Sequence, residues 1–304
     1  MLNEYSISAS RVVPCEAGRG TVLVYINPTE EEKRHLVGDL LLDEHTLNSA
    51  LDPDELSRLE FEPEHLAVIF KKPKNYSTED EFLFKVNSMG LFLFKERLVI
   101  VIPDDIQLFN GKVFNNVRSL HDVLLKILYR TIFHYLDHLK AINLISESLE
   151  QKINASLENK YLLNLFSLEK SLVYYLNAIN SNAVVIDRIR NHAERLALST
   201  ENRELLDDII IENTQCYRQA EIYSNILASM MDARVSIVSN NLNVLMKTLN
   251  IITIAIMVPT FVVSAFSMNV RIPMSGLHNA FYMVIGLALT SVVGFYFFWK
   301  WKKW

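Results

Sequence analysis

Apolar and polar positions change their spacing twice along the chain, and the changes mark three zones. Ahead of Gly111, short runs rich in β-branched and aromatic residues at 21–26, 66–70, 91–94 and 98–102 predict strands. Thr29 with Glu32 has the capping-box pattern and predicts a helix to about residue 42. A second short helix is predicted over about 43–59, with Pro53 as a point where it can break. Between Gly111 and Pro259 there is neither glycine nor proline, and Leu165, Leu168, Leu172 and Leu176 step by three and four. That pattern predicts long helices over about 117–156 and 158–199, and a third opening near Asn202. The third meets no breaker before the apolar C-terminal stretch, so one rod of roughly 100 Å is expected to run into it.

The last zone has two charge-free stretches, 248–270 and 279–299. Each is long enough to cross a hydrocarbon core of about 30 Å. Only 271–278 separates them, so they predict a hairpin with both ends on one side. Lys247 precedes the first stretch and Lys300, Lys302 and Lys303 follow the second, while the connection holds only Arg271 and His278. The positive-inside bias places both helix ends in the cytoplasm, with Trp299, Trp301 and Trp304 as an inner aromatic belt.

The first stretch carries a polar seam. Asn243, Met246, Asn250, Thr253, Met257, Thr260, Ser264 and Ser267 follow spacings of 3, 4, 3, 4, 3, 4, 3, the a/d seam of a heptad. Stepping back gives Ser239, Ser236, Asp232, Ser229 and Asn225. One hairpin cannot enclose water, but several copies around an axis can. The seam therefore reads as the wall of a homo-oligomeric pore. The competing reading is helix–helix packing, since Ser and Thr also serve at membrane helix interfaces. In a pore, neutral oxygens suit an ion that keeps its water shell, as Mg²⁺ does. Met246 and Met257 would form dewetting rings, and Asp232 a ring of negative charge near the cytoplasmic end.

Composition adds limits. The formal net charge of -5 argues against nucleic acid as a partner. Mean hydropathy of +0.14 is high for a soluble protein and low for a many-span transporter. Cys15 and Cys216 show no metal or disulfide spacing. Residues 1–11 carry no apolar signal region, so the N-terminal part is expected in the cytoplasm. His134 and His138 stand i, i+4, but HYLDH lacks the glutamate of zinc proteases, and a packed helix face is the expectation. No nucleotide or nucleophile motif stands out, and no organic cofactor or enzyme activity is expected.

The stretch MKTLNIITIAIMVPTFVVSAFSMN, with LDPDELSRLEFEPEHLAVIFKKP and LEKSLVYYLNAINSNAVVIDRI, closely resembles the CorA family of divalent-cation transporters over essentially the whole chain. The resemblance implies a mostly α membrane protein with an N-terminal α/β funnel domain (1–115) and a long helical stalk region (116–245). A transmembrane hairpin (246–304) would follow, with spans at about 246–269 and 280–299. It implies a homopentamer in the bacterial cytoplasmic membrane, conducting Mg²⁺ inward and sometimes Co²⁺ or Ni²⁺. Family pore positions carry onto Asn243, Met246, Met257, Thr260 and Asn269, with Ser267, Met268 and Asn269 at the filter. The family's regulatory Mg²⁺ site would place Asp208, beside Asp207, against funnel acids among Glu79, Asp80 and Glu81 of a neighbour. Two residues depart from the pattern: Ser267 stands where the family has the glycine of Gly-Met-Asn, and Arg271 sits in a loop where the family commonly has an acid. Transport of Zn²⁺, Co²⁺ or Ni²⁺, efflux, and a non-transporting scaffold are the alternatives on this fold.

Overall fold

The computed structural model describes residues 1–76, 82–106, 108–155, 159–268 and 278–302. It forms two compact units, Met1–Met231 and Asp232–Trp304. The first unit holds a sheet of β1 (Leu2–Ser8), β2 (Arg11–Pro14), β3 (Val22–Ile26), β4 (Arg58–Phe61), β5 (His65–Pro73), β6 (Val86–Phe94) and β7 (Leu98–Ile102). The spatial order is β2-β1-β3-β7-β6-β5-β4, parallel only between β3 and β7. The helices are α1 (Glu30–Gly38), α2 (Glu44–Leu51), α3 (Leu120–Ala155), α4 (Asn159–Asn191), α5 (Thr200–Phe266) and α6 (Ala280–Lys302).

The apolar runs in β3, β5, β6 and β7 are continuous because both faces of the sheet are covered. Ala67, Ile69, Phe92, Val99 and Val101 join Leu36 of α1 and Leu47 of α2 in one core. The alternate residues Val68, Phe70, Leu91, Leu98 and Ile100 pack with Leu128, Tyr135, Leu172 and Tyr175 of α3 and α4 in the other. At Gly90 the sheet meets α2 so closely that a Cβ would lie 2.6 Å from the Ala50 Cβ. Thr29 caps α1 as its capping box predicts, accepting from Glu32 N–H while the Glu32 carboxylate accepts from Thr29 N–H.

A buried amide joins α4 to β5. The Asn182 Oδ1 accepts from Lys71 N–H at 2.8 Å and Ser57 O–H at 2.7 Å, and its Nδ2 donates to the Lys71 carbonyl at 2.8 Å. Asn182→Ala strands the Lys71 peptide groups in the core. A loss of about 2 kcal/mol is expected, to be read as a shift of the denaturation midpoint; an unchanged midpoint would dismiss this amide as a structural tie.

Three expectations need correction. The helix over 43–59 stops at Leu51, because Asp52 precedes Pro53 and takes an extended conformation, ψ 117°. Residues 58–61 instead form β4, paired antiparallel with β5. The second long helix ends at Asn191, not near 199. The chain turns there through Ala197 at φ 48°, and Ser199 Oγ accepts from Asn202 N–H at the start of α5. Strands β1 and β2 were not expected, since their mixed residues are only half-buried.

In the second unit, the most apolar windows of α5 and α6 have mean hydropathies of 2.1 and 1.9, and none of their residues is buried. A soluble core helix would be covered, and uncovered windows this apolar fit the two membrane spans expected from the sequence. Pro259 sits inside α5. It withdraws one N–H from the helix ladder, which membrane helices tolerate where neighbours or water satisfy the carbonyl.

Candidate ion pathway

Each described member of the seam lies on α5 or the turn that ends it. Asn243, Met246, Asn250, Thr253, Met257, Thr260, Ser264, Ser267 and Met268 are all exposed in the single chain. The partly covered residues of the same segment are Ile251, Ala255, Val258, Pro259, Val262 and Phe266. At 100° per residue the two sets lie about 160° apart around the helix. On α6 the partly covered set is Ala280, Val284, Ala288, Ser291 and Phe295, which includes one polar residue. The polar seam is therefore not a face that this chain covers by itself. A strict seven-residue repeat drifts backward around a straight helix by about 20° per heptad and favours left-handed winding of neighbouring copies.

The hydroxyls of Thr253, Thr260 and Ser267 are turned so that they accept. Thr253 donates to the Leu249 carbonyl at 2.9 Å and Thr260 to the Ile256 carbonyl at 2.7 Å. Ser267 donates to the Ser264 carbonyl at 2.9 Å. With the hydroxyl hydrogen spent on the helix, the outward lone pairs are acceptors. A hydrated cation presents the hydrogens of its waters, so this wall matches it without any carboxylate. Asn243 and Asn250 differ, because each amide has two donors as well as an acceptor. Facing lipid, those groups would be costly. They need water or another copy of the chain.

Below the apolar stretch the seam continues on exposed Asp232, Ser236 and Ser239. Asp207 and Asp208 are exposed on α5 in the first unit, and Asp208 acts on the phenol of Tyr129 on α3. Among the described residues no three His, Cys, Asp or Glu side chains are grouped to hold a metal. Glu79, Asp80, Glu81 and Asn269 lie outside the described residues.

His134 and His138 lie on α3, and His138 packs against Tyr175 of α4 and against Phe84, ahead of β6. Their rings are 4.5 Å apart, and His138 Nδ1 lies 2.6 Å from the Tyr175 hydroxyl. Burial pushes both down to about 4, aided at His134 by Lys72 and at His138 by His134. The rings are neutral when folded, whereas an unfolded histidine titrates near 6.5. Between about pH 6.5 and 4 the unfolded chain takes up protons that the folded chain refuses, so stability falls across that window and is full above it. Each ring accounts for up to roughly 3 kcal/mol, less for two in contact. The melting temperature of a His134→Gln, His138→Gln double variant should fall less steeply over this range; parallel curves would refute it.

Residues 23–303 match the family described as CorA-like Mg²⁺ transporter protein. The chain belongs to that family. It is a membrane transporter of divalent cations rather than an enzyme, and Mg²⁺ is the ion the family transports. The cobalt/magnesium transport protein CorA of Methanocaldococcus jannaschii is 24% identical over 290 residues, covering 91% of this chain and 89% of its own. The complete structure of the CorA magnesium transporter from that organism superposes with a TM-score of 0.81 at 20% identity, covering 98% and 96% of the two chains. The full-length CmaX protein does so at 0.73 with 14% identity, covering 99% and 97%. Both likenesses span the α/β unit, the long helix and the two apolar helices.

Proposed function

We propose that the seam of α5 is the wall of a central pore made by five copies of the chain, and that this pore carries Mg²⁺ into the cell. The observation that carries this reading is the exposed heptad of polar and Met side chains, set opposite the partly covered stripe of its own helix. The amides of Asn243 and Asn250, exposed on that face, favour water over lipid. Ser267, Met268 and Asn269 form the outer filter, Met246 and Met257 the dewetting constrictions, and Asp232 an acidic ring at the inner end. The lysines flanking the hairpin support cytoplasmic termini and a place in the bacterial cytoplasmic membrane. In this scheme residues 1–115 are the funnel, 116–245 the stalk and 246–304 the spanning hairpin.

The membrane potential suffices as a driving force. It supplies about 4.6 kcal/mol for a divalent ion per 100 mV, an accumulation on the order of a thousandfold. Regulation by internal Mg²⁺ would use Asp208, with Asp207 beside it, against Glu79, Asp80 or Glu81 of a neighbouring copy. Bound Mg²⁺ would hold copies together and favour closure, and its loss would let acid repulsion loosen the ring. The name of the Methanocaldococcus relative includes cobalt, so Co²⁺ is the second ion to test, with Ni²⁺ and Zn²⁺ as competitors.

Purified protein in liposomes, with low internal Mg²⁺ and an inside-negative potential, should admit Mg²⁺, and raised internal Mg²⁺ should slow it. Absence of any divalent flux would overturn the pore. Flux of another metal that Mg²⁺ does not compete with would overturn the ion assignment alone.

A further inference from the structure

A cavity of about 440 Å³ opens in the first unit, on the side of the sheet that α3 covers. Lys72 of β5 lines it, with Arg130, Thr131 and His134 of α3 and the loop residues Asn75 and Asp105. The Lys72 side chain is only 2% exposed, and its Nζ has no hydrogen-bond partner among the described residues. Asp104 Oδ2 lies 3.5 Å away, beyond the roughly 2.7–2.9 Å of a charge-assisted bond. The same oxygen already accepts from Asn87 Nδ2. An ammonium has three donors; here none makes a hydrogen bond among the described residues, Asp104 is within salt-bridge reach, and burial lowers the pKa of the group against the pull of that carboxylate.

Positive potential converges at this spot. Lys72 from the sheet and Arg130 from the helix both disfavour protonation of His134. Asp104, 32% exposed and 3.5 Å from Lys72, offsets part of this charge, and the acids at the rim are weaker opponents. Asp105 is exposed, and Asp137 is 69% exposed and paired with Lys140 at 3.3 Å, so solvent screens both. Apolar side chains of Met89, Leu108 and Ile127 complete the wall. The volume lies in the range of about 300–1,000 Å³ found for small-molecule sites. It exceeds what one inorganic anion fills.

We propose that this cavity binds a small oxyanion, the phosphate or carboxylate group of a metabolite, with Lys72 as its buried counter-ion and Arg130 at its mouth. The site is separate from the ion pathway and does not depend on the pore reading. It would couple the cytoplasmic unit to an anionic metabolite.

The full chain in detergent, free of divalent metal, is titrated with inorganic phosphate and separately with acetate against chloride at constant ionic strength. A saturable rise in melting temperature is expected with at least one of them; phosphate alone marks a phosphoryl ligand, acetate alone a carboxylate. Lys72→Met keeps the length of the chain and should weaken that response at least about tenfold, with Arg130→Gln weakening it less. Should Lys72→Met fail to fold, Arg130→Gln carries the comparison, and a response to phosphate or acetate as strong as that of the wild type overturns the site. No saturable response in the wild type, or an equal response in Lys72→Met, overturns the site and marks a cavity that holds water only.

Discussion

Asn250→Leu is expected to abolish divalent-cation flux while leaving the protein folded and in the membrane. Asn250 is exposed at the middle of the seam, one helical step from Met246 and Thr253. In the ring assembly its amides are polar groups that keep this level wet. Five leucines would double the apolar ring at Met246 and leave Thr253 as the one polar level between it and Met257. A loss of the order of a hundredfold needs only roughly 2.7 kcal/mol on the barrier. The packing reading predicts the opposite, because a leucine against lipid or a neighbouring helix is tolerated. Ile252 is exposed on a different face, and Ile252→Leu should leave liposome flux unchanged. If Asn250→Leu conducts like the wild type, the seam is not the pore wall.

That test is needed because of what a single chain's sequence and structure contain. The seam was legible in the sequence: its spacing and polarity are properties of consecutive side chains on one helix. The long glycine-free and proline-free zone and the capping box at Thr29 were legible for the same reason. Elements fixed by partners far along the chain were not. Strand β4 exists because residues 58–61 pair with β5, and its own residues also suit the helix expected there. The same holds for β1, whose neighbours are β2 and β3.

Burial was the harder quantity. Lys71 and Lys72 are consecutive lysines, and nothing in the letters separates them from a solvated pair. Both are buried, Lys71 against the Pro53 carbonyl and Ser88 and Lys72 beside a cavity. His134 and His138 were expected on a packed face, and the contacts of the His138 ring with Tyr175 of α4 and with Phe84, ahead of β6, appear only in three dimensions. Asp208 belongs to no group of three His, Cys, Asp or Glu within one chain's described residues, so a metal site there would draw on acids of a neighbouring copy.

Asn269→Ala is the second decisive substitution, and its comparison with Ser267→Gly tests how the outer end of the pathway works. An asparagine amide offers two donors and two acceptor positions, and a ring of five can exchange hydrogen bonds with the water shell of a Mg²⁺ ion that dehydrates reluctantly. Alanine offers none. Discrimination of Mg²⁺ against monovalent ions should fall by at least about tenfold, equivalent to some 1.4 kcal/mol, with total ion leak unchanged or higher. Ser267 stands where the family has glycine, and it is expected to matter less. Its N–H and hydroxyl both donate to the Ser264 carbonyl, at 3.1 and 2.9 Å, and its φ is not positive. It therefore closes the last turn of α5 without using the freedom that glycine has. Ser267→Gly removes the side-chain tie and loosens that turn, so selectivity should shift by a smaller factor than in Asn269→Ala. Equal losses in the two variants would mean that the geometry of the turn, and not the amide of Asn269, sets the discrimination. Unchanged selectivity in Asn269→Ala would move the filter elsewhere along the seam.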